Sequence, residues 1–412
     1  MGTRNKGGLI GGFDQLRAPD APTISVTAGS SQVSVAFTNP SDTGGGDISS
    51  YTATAIASGV STGATSATSP VTITGLSNGT SYSVTGLANN AFGASPYSSA
   101  TSASPSAGPD RGVFIGGISS TGSYPNDVTM DFVQISSTGN ASDFGDYGQR
   151  VAYIATASST TRGLGAGGRL DASGYLNVIE YITLASAANG TDFGDLQQAK
   201  QRVGGGSNTT RAVFYGGLNS SSSILNEIDT VTIASTGNAT DYNDMATARY
   251  SHGTFSSSTR GISCGGYNSS SSLINEIEFS VFASSGSATD FGDLTQSVAL
   301  TTGLSSATRG VRTGGQTSGG KTQTMDYVTM ASGGNATNFG NLLYGSPQSG
   351  TNQAGATSNA TRGIIGGGDT GANRDVIQYI TIASQGVATD FGDLTVARKA
   401  TEGLSGSHGG LQ

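Results

Sequence analysis

Two aspartates bracketing an aromatic residue and a glycine recur along the later part of this 412-residue chain. The copies are Asp143-Phe144-Gly145-Asp146, Asp192-Phe193-Gly194-Asp195, Asp241-Tyr242-Asn243-Asp244, Asp290-Phe291-Gly292-Asp293, Asn338-Phe339-Gly340-Asn341 and Asp390-Phe391-Gly392-Asp393. Carboxylates at that spacing on a flexible turn have the chemistry to hold a hard cation. The Asn338 copy keeps the shape while losing both charges, so a turn is the preferred reading. In it Asp binds its own backbone, Gly takes the left-handed torsion and the ring fills the gap between neighbouring units. No metal and no other cofactor is expected. Other acid–base groups are few: His252, His408 and a single thiol, Cys264. An active site should occur once, whereas these carboxylate pairs recur in nearly every unit. The chain is therefore read as a binding protein and not an enzyme.

Six arginines make the second constellation. Arg111, Arg162, Arg211, Arg260 and Arg309 are each followed five residues on by a Gly-Gly pair, and Arg362 is followed four residues on by Gly366-Gly367. A recurrent polar position runs alongside them: Asp131, Glu180, Asp229, Glu278 and Asp326, with Gln378 in the sixth copy. Guanidinium–carboxylate pairs lock geometry through paired hydrogen bonds. The two sets are thus expected to partner one another as an internal frame rather than hold a ligand. Candidate ligand-binding groups lie in the polar loops after the glycine pairs. Loops 219–226 and 268–275 both open with Asn-Ser-Ser-Ser-Ser, supplying Asn219, Ser221, Asn268 and Ser270, and Tyr175 and Arg374 stand in corresponding loops. Such side chains make adaptable hydrogen bonds to saccharides or proteins.

These groups are positioned by a repeat. Successive arginines are separated by 51, 49, 49, 49 and 53 positions, a period in the range of blade-forming repeats. Each unit runs from the glycine pair through a polar loop to a strand such as 376–382, then the aspartate turn. Ala248-Arg249 and Ala397-Arg398 follow in two copies, before a final strand such as 400–405. Four strands of this kind cannot bury both faces alone, so the units must stack around an axis. The chain enters at Arg111 on a second strand and leaves on a first strand. The last strand is therefore expected to complete the sheet begun at 111–147, removing exposed edges. Almost no helix is expected.

The order of glycine pair, tyrosine-bearing strand, aromatic, leucine and arginine resembles kelch repeats. Phe391 and its counterparts replace the family's tryptophan. The resemblance implies an all-β, six-bladed kelch-like propeller over 111–412. One cysteine and two histidines do not reproduce the copper-radical site of galactose oxidase, a kelch-propeller enzyme. The absence of tryptophan, Trp 0 in the chain, argues equally against a sialidase-like propeller.

Ahead of the repeat, residues 18–106 alternate apolar and polar positions through Ile24, Val26, Val33, Val35 and Phe37, which marks strands with one buried face. The stretch Leu76-Ser77-Asn78-Gly79-Thr80-Ser81-Tyr82-Ser83-Val84, continuing into Ala88-Asn89-Asn90-Ala91-Phe92-Gly93, resembles the fibronectin type III family. The resemblance implies a β-sandwich in which Tyr82 is the corner tyrosine, its hydroxyl tied to upstream backbone. Phe37 stands where that family usually has tryptophan. A run rich in Ser, Pro and Gly from Ser104 leads to a linker at 107–110, and residues 1–17 are set apart as an anchor segment.

Composition narrows the partners. A formal charge of -8, with charged residues at 11% and no Lys/Arg cluster, lacks the electrostatic footprint of nucleic-acid binding. No apolar run of spanning length occurs, so membrane insertion is not expected. Met1 to Phe13 lacks the apolar core of a signal peptide, which implies synthesis in the cytoplasm. The Gly/Ser/Thr/Asn-rich repeat joined to a fibronectin-like module is similar in style to virion proteins of tailed phages, especially those of marine and cyanobacterial hosts. That likeness implies a tail fibre or tail-associated adhesin binding a host-surface glycan or envelope protein. The alternative it leaves open is a structural decoration of head or tail. Other virion proteins, met through residues 1–17 and the fibronectin-like module, and homo-oligomerisation within the particle are the implied assemblies.

Overall fold

The computed structural model describes residues 16–29, 32–77, 80–105, 110–119, 126–170, 174–343 and 350–411. The chain divides into two compact units, Met1–Ser106 and Ala107–Gln412. Both are built of strands; among the described residues there is no α-helix and one 3-10 turn, Gly409–Leu411. Of the expected anchor, only Leu16 and Arg17 are described, and of the expected linker only Asp110.

In the first unit, Gln32–Thr38 pairs with Thr23–Gly29 and with Val71–Thr74, while Ser50–Ala57 lies between Val60–Ser66 and Tyr82–Asn90. Alternation places Val33, Val35, Ala53, Ala55, Ile73 and Val84 in one core. Phe37 packs its ring on Tyr51 with centroids 4.8 Å apart. Gly86 makes room for it, since a Cβ there would come within 2.4 Å of the ring. The Ser77 N–H donates to the Tyr82 hydroxyl at 3.0 Å, which is the tie expected of that tyrosine.

The second unit contains six sheets that share one order of strands. Their first strands are Ala155–Ser158, Gly204–Ser207, Gly253–Ser256, Thr302–Ser305, Gly355–Ser358 and Glu402–Ser405. Each repeat arginine opens the second strand, as in Arg162–Ala166, which is followed by Val178–Thr183 and Thr191–Asp195. The first sheet takes its first strand from the far end of the unit: Glu402–Ser405 runs antiparallel to Arg111–Ile115, with Leu404 opposite Val113. In the sixth copy the left-handed glycines are Gly367 and Gly368, φ 70 and 104, not Gly366 and Gly367. The arginine-to-pair spacing is therefore conserved at five, and Gly366 is a strand residue lying against the Phe114 ring.

Neighbouring sheets are joined at three levels. Before each first strand one residue is held left-handed, with φ between 53 and 59: Tyr153, Arg202, Ser251, Leu300, Gln353 and Ala400. None is glycine, so each carries conformational strain of about 1 kcal/mol or more. Backbone hydrogen bonds hold them. Arg202 N–H donates to Tyr153 O at 2.9 Å, Ser251 to Arg202 at 3.1 Å, Leu300 to Ser251 at 2.8 Å, Gln353 to Leu300 at 3.0 Å, Ala400 to Gln353 at 2.7 Å and Tyr153 to Ala400 at 3.1 Å. The circuit returns to its start. Five residues further along each strand stands a serine. Ser207, Ser305, Ser358, Ser405 and Ser158 donate through Oγ to the carbonyls of Ser158, Ser256, Ser305, Ser358 and Ser405 at 2.5–2.8 Å, and Ser207 N–H donates to Ser256 Oγ at 3.0 Å.

The third level corrects the expected arginine–carboxylate frame. The guanidinium groups of Arg111, Arg162, Arg211, Arg260, Arg309 and Arg362 donate to the carbonyls of Leu184, Ile233, Phe282, Met330, Ile382 and Ile135 at 2.7–3.2 Å. Each reaches the next sheet, and Arg362 reaches back to the first. Aromatic rings lie beneath them at 4.3–5.3 Å, from Phe132, Tyr181, Tyr242, Phe279, Tyr327 and Tyr379. Register explains the difference: Arg162 stands opposite Thr183, whereas Glu180 stands opposite Gly165. The buried carboxylates instead meet a second set of cations. Asp131 pairs with Arg398 at 3.0 Å and Asp229 with Lys200 at 2.9 Å. Glu278 pairs with Arg249 and Asp326 with Arg312.

Two tests follow from these ties. Truncation after Arg398 removes the closing strand, and thermal unfolding of the second unit is expected to shift down by more than about 10 °C, with self-association through the freed edge. A truncated protein unfolding like the parent contradicts the closure. Tyr82→Phe is expected to lower the first unit's stability by about 1 kcal/mol in urea denaturation; an unchanged midpoint contradicts the role of the hydroxyl.

Candidate functional site at the axis of the six sheets

The left-handed residues do more than join sheets. Tyr153, Arg202, Ser251, Leu300 and Gln353 surround a pocket whose wall continues through Val203, His252, Thr301 and Thr401 to Glu402. A deeper cavity follows between Gly204, Gly205, Thr254, Thr302, His252 and Glu402. Beyond it lie the ring serines and His408. Small residues keep this shaft open: the positions equivalent to Glu402 on the other five first strands are Ala155, Gly204, Gly253, Thr302 and Gly355. At the serine end the terminal turn packs inward. His408 Nε2 lies 3.3 Å from Ser207 Oγ, Leu411 is fully buried, and a Cβ on Gly410 would stand 1.9 Å from the Ser207 carbonyl. Only glycine fits there.

Enclosure sets the protonation of the shaft. Burial pushes the Glu402 carboxyl up to about 8, against hydrogen bonds from Thr302 and the Gly403 backbone; an edge of the side chain stays open to the cavity. Burial, helped by the Arg249 charge, pushes His252 down to about 3. Both its ring nitrogens lack a partner. Burial likewise takes His408 down to about 4. At neutral pH the shaft thus holds a protonated acid and two neutral imidazoles.

Outside the mouth the two sides differ. On one, the Arg202 guanidinium lies 4.2 Å from the Tyr153 ring and 6.0 Å from that of Tyr250, and Tyr250 stacks on Tyr267 with centroids 5.2 Å apart. Arg202 also donates to Ser251 Oγ at 3.1 Å. All four members of this ladder are half-buried. On the other side Asp369 lies between Lys321 at 2.6 Å and Lys399 at 3.0 Å. Burial alone would raise its carboxyl, but hydrogen bonds from Lys321, the Gly371 N–H and Lys399 outweigh it and hold it at about 2.

The residues singled out from sequence lie at this same end, because the loops after the glycine pairs bridge to the residues just before the mouth: Ala152 to Arg169, Gln201 to Leu218 and Tyr250 to Tyr267. Several of them are engaged within their own loops. Asn219 Oδ1 accepts the N–H groups of Ser221 and Ser223, both at 3.0 Å. Asn268 Oδ1 accepts those of Ser270 and Ser272, at 3.0 and 3.1 Å. Both amide oxygens therefore close their own turns, while Ser221 and Ser270, like the other serines of the two loops, are exposed. Arg374 Nε donates to Thr370 Oγ1 at 2.6 Å, and Tyr175 is half-buried in a bridge to Arg169. The axial residues went unnoticed in the sequence. Their signal was positional: Tyr153, Arg202, Ser251, Leu300 and Gln353 each stand nine residues before a repeat arginine.

The aspartate motifs lie on the fourth strands and not, as expected, on turns: a register shift such as that between Ile179–Gly194 and Glu180–Asp192 leaves the aromatic residue at a β-bulge. Gly145, Gly194, Gly292, Gly340 and Gly392 have φ of 133–150, and the intervening rings are buried. A neighbouring asparagine accepts the N–H of the second aspartate, as Asn189 does for Asp146 at 3.0 Å. Among the described residues no group of three or more metal-ligating side chains converges.

A carboxyl with a raised folded-state pKa favours folding most when protonated. Its contribution is complete below about 4.5, declines as pH rises and is gone above about 8. Glu402→Gln does not titrate, so at pH 9 it is expected to be the more stable protein by about 2 kcal/mol, the gap closing toward pH 5. Urea denaturation at the two pH values measures this; a gap independent of pH contradicts the assignment.

Comparison with known proteins bears on the first unit. No curated protein matches the chain. The family model for the fibronectin type III domain matches residues 17–104, the span that carries the two packed sheets and the Tyr82 tie. That segment is a fibronectin type III domain within an all-β protein.

Proposed function

We propose that this chain is a non-enzymatic binding protein in which the six sheets form a kelch-like β-propeller, the fibronectin type III domain acts as its mount, and the face around the axial mouth meets the ligand. The three closed circuits of inter-sheet hydrogen bonds favour the propeller reading, because an open array of sheets would leave the first and last without partners. The ligand class that fits best is a surface saccharide. The observation carrying it is the half-exposed ladder of Tyr153, Arg202, Tyr250 and Tyr267. Rigid aromatic faces with polar edges supply contact area at low entropic cost. Catalysis has little to work with: the Cys264 thiol is buried and pushed up to about 12, and the axial acid lacks a charged partner base. The resemblance to phage virion proteins makes a tail fibre or tail-associated adhesin the corresponding biological role, assembled with other virion proteins and copies of itself.

Binding of the full chain to host cells and to an array of their surface glycans tests this reading. Saturable binding that falls at least tenfold in Arg202→Ala and Tyr250→Ala proteins, with their thermal unfolding unchanged, is the expected result. Absence of glycan and cell binding, together with incorporation into particles, overturns it in favour of a head or tail decoration.

A further inference from the structure

Four strand carboxylates of the second unit, Asp131, Asp229, Glu278 and Asp326, meet a cation of this chain. Glu402 does not. Among the described residues no cation lies within ion-pair distance of it, and its carboxyl has the Thr302 hydroxyl and the Gly403 backbone as partners. It projects where the equivalent strands offer Ala155, Gly204, Gly253 and Gly355, so the space around it is empty by residue choice. The second observation is independent. His252, only 6% exposed, lines the same cavity with both ring nitrogens unsatisfied. Buried polar groups without partners beside a cavity large enough for at least one water mark a place for a polar occupant.

We propose that the axial shaft is a binding well for a primary alkylammonium ion, seated between Glu402, Thr302 and His252. An ammonium has three donors and no acceptor; a carboxylate, a hydroxyl oxygen and a neutral imidazole nitrogen are three acceptors. Width agrees with a slender ligand. At the mouth, where backbone hydrogen bonds join the six chains, the side-by-side spacing is about 4.8 Å, so the centre of a ring of six lies about 4.8 Å from each chain. Allowing about 2 Å for the atoms of the wall, the bore admits a polymethylene chain end-on. A hard divalent cation finds only one carboxylate there, and an anion would face that carboxylate. The site shares Tyr153 and Arg202 at its entrance with the aromatic ladder, but Glu402, Thr302 and His252 are not members of that ladder, and the proposal does not depend on the saccharide reading.

Burial keeps a proton on Glu402 in the empty well. The other titratable or charged groups along the shaft are Tyr153, Arg202, His252 and His408. An arriving ammonium stabilises the carboxylate, and the displaced proton passes to solvent. Calorimetric titration of the full chain with n-butylammonium, in two buffers of different ionisation enthalpy near pH 7, is expected to show one saturable site with proton release. No binding by n-butanol is expected. Glu402→Gln should weaken binding at least tenfold, and Thr302→Val, which keeps the carboxylate, by a smaller factor. A second arm with Nα-acetyl-lysine methylamide identifies the source: tighter binding than n-butylammonium assigns the well to a lysine side chain of a partner protein, and weaker binding assigns it to a free amine. No saturable binding of n-butylammonium at millimolar concentration, or equal binding by a folded Glu402→Gln protein, overturns the proposal whatever the outcome with glycans.

Discussion

Six peptide groups set the geometry of the second unit. The N–H of each left-handed residue, from Tyr153 to Ala400, donates to the carbonyl of its neighbour around the axis. A left-handed torsion at tyrosine, arginine, leucine or glutamine is unfavourable by itself, and it persists when surrounding structure over-determines it. Here each strained residue is held by a hydrogen bond on either side. The last bond, Tyr153 to Ala400, joins segments 247 residues apart in the chain, so the strain at all six is supported only when the carboxyl-terminal segment has docked. Closure and local conformation are one event.

Equivalent positions around that axis carry different loads. Lys200, Arg249 and Arg398 occupy one repeated place and neutralise the acid of the following sheet. Where that place is Val298, Arg312 from the sheet's own second strand serves Asp326 instead; where it is Thr351, the acid is replaced by Gln378, which accepts the Leu343 N–H at 2.7 Å. Where it is Val151, Glu180 has, among the described residues, the Gly148 N–H at 2.8 Å as its hydrogen-bond donor, and burial raises that carboxyl. The pattern is local charge balance within a fixed frame. Leaving one buried partner unmatched costs more than replacing both, which accords with the joint loss of cation and acid at Thr351 and Gln378; Glu180 departs from the rule, keeping its carboxyl without a cation among the described residues.

Much of the architecture was legible because it repeats. The arginine–glycine period fixed the number of sheets, and a chain entering on a second strand implied the strand exchange seen between Glu402–Ser405 and Arg111–Ile115. Tyr82 was readable because one hydroxyl has one backbone donor to meet. Partner choice was not. Arg162 and Glu180 are close in the repeat, yet the pairing register sets Arg162 opposite Thr183 and turns the guanidinium toward the carbonyl of the adjacent sheet. The loop asparagines looked free because sequence cannot separate an amide facing solvent from one closing its own turn. Glu402 and His252 were hidden for the opposite reason: they depart from the repeat, and a departure reads as noise until the axis brings six equivalent positions together.

Amide hydrogen exchange resolved at single residues tests the closure most directly, through Tyr153, Arg202, Ser251, Leu300, Gln353 and Ala400. A closed circuit predicts that all six amides, including Tyr153, exchange with the same high protection and lose it in a single cooperative opening. Rapid exchange at Tyr153 or Ala400, with protection retained at the other members, would mean that the first and last sheets are not joined and would contradict the account.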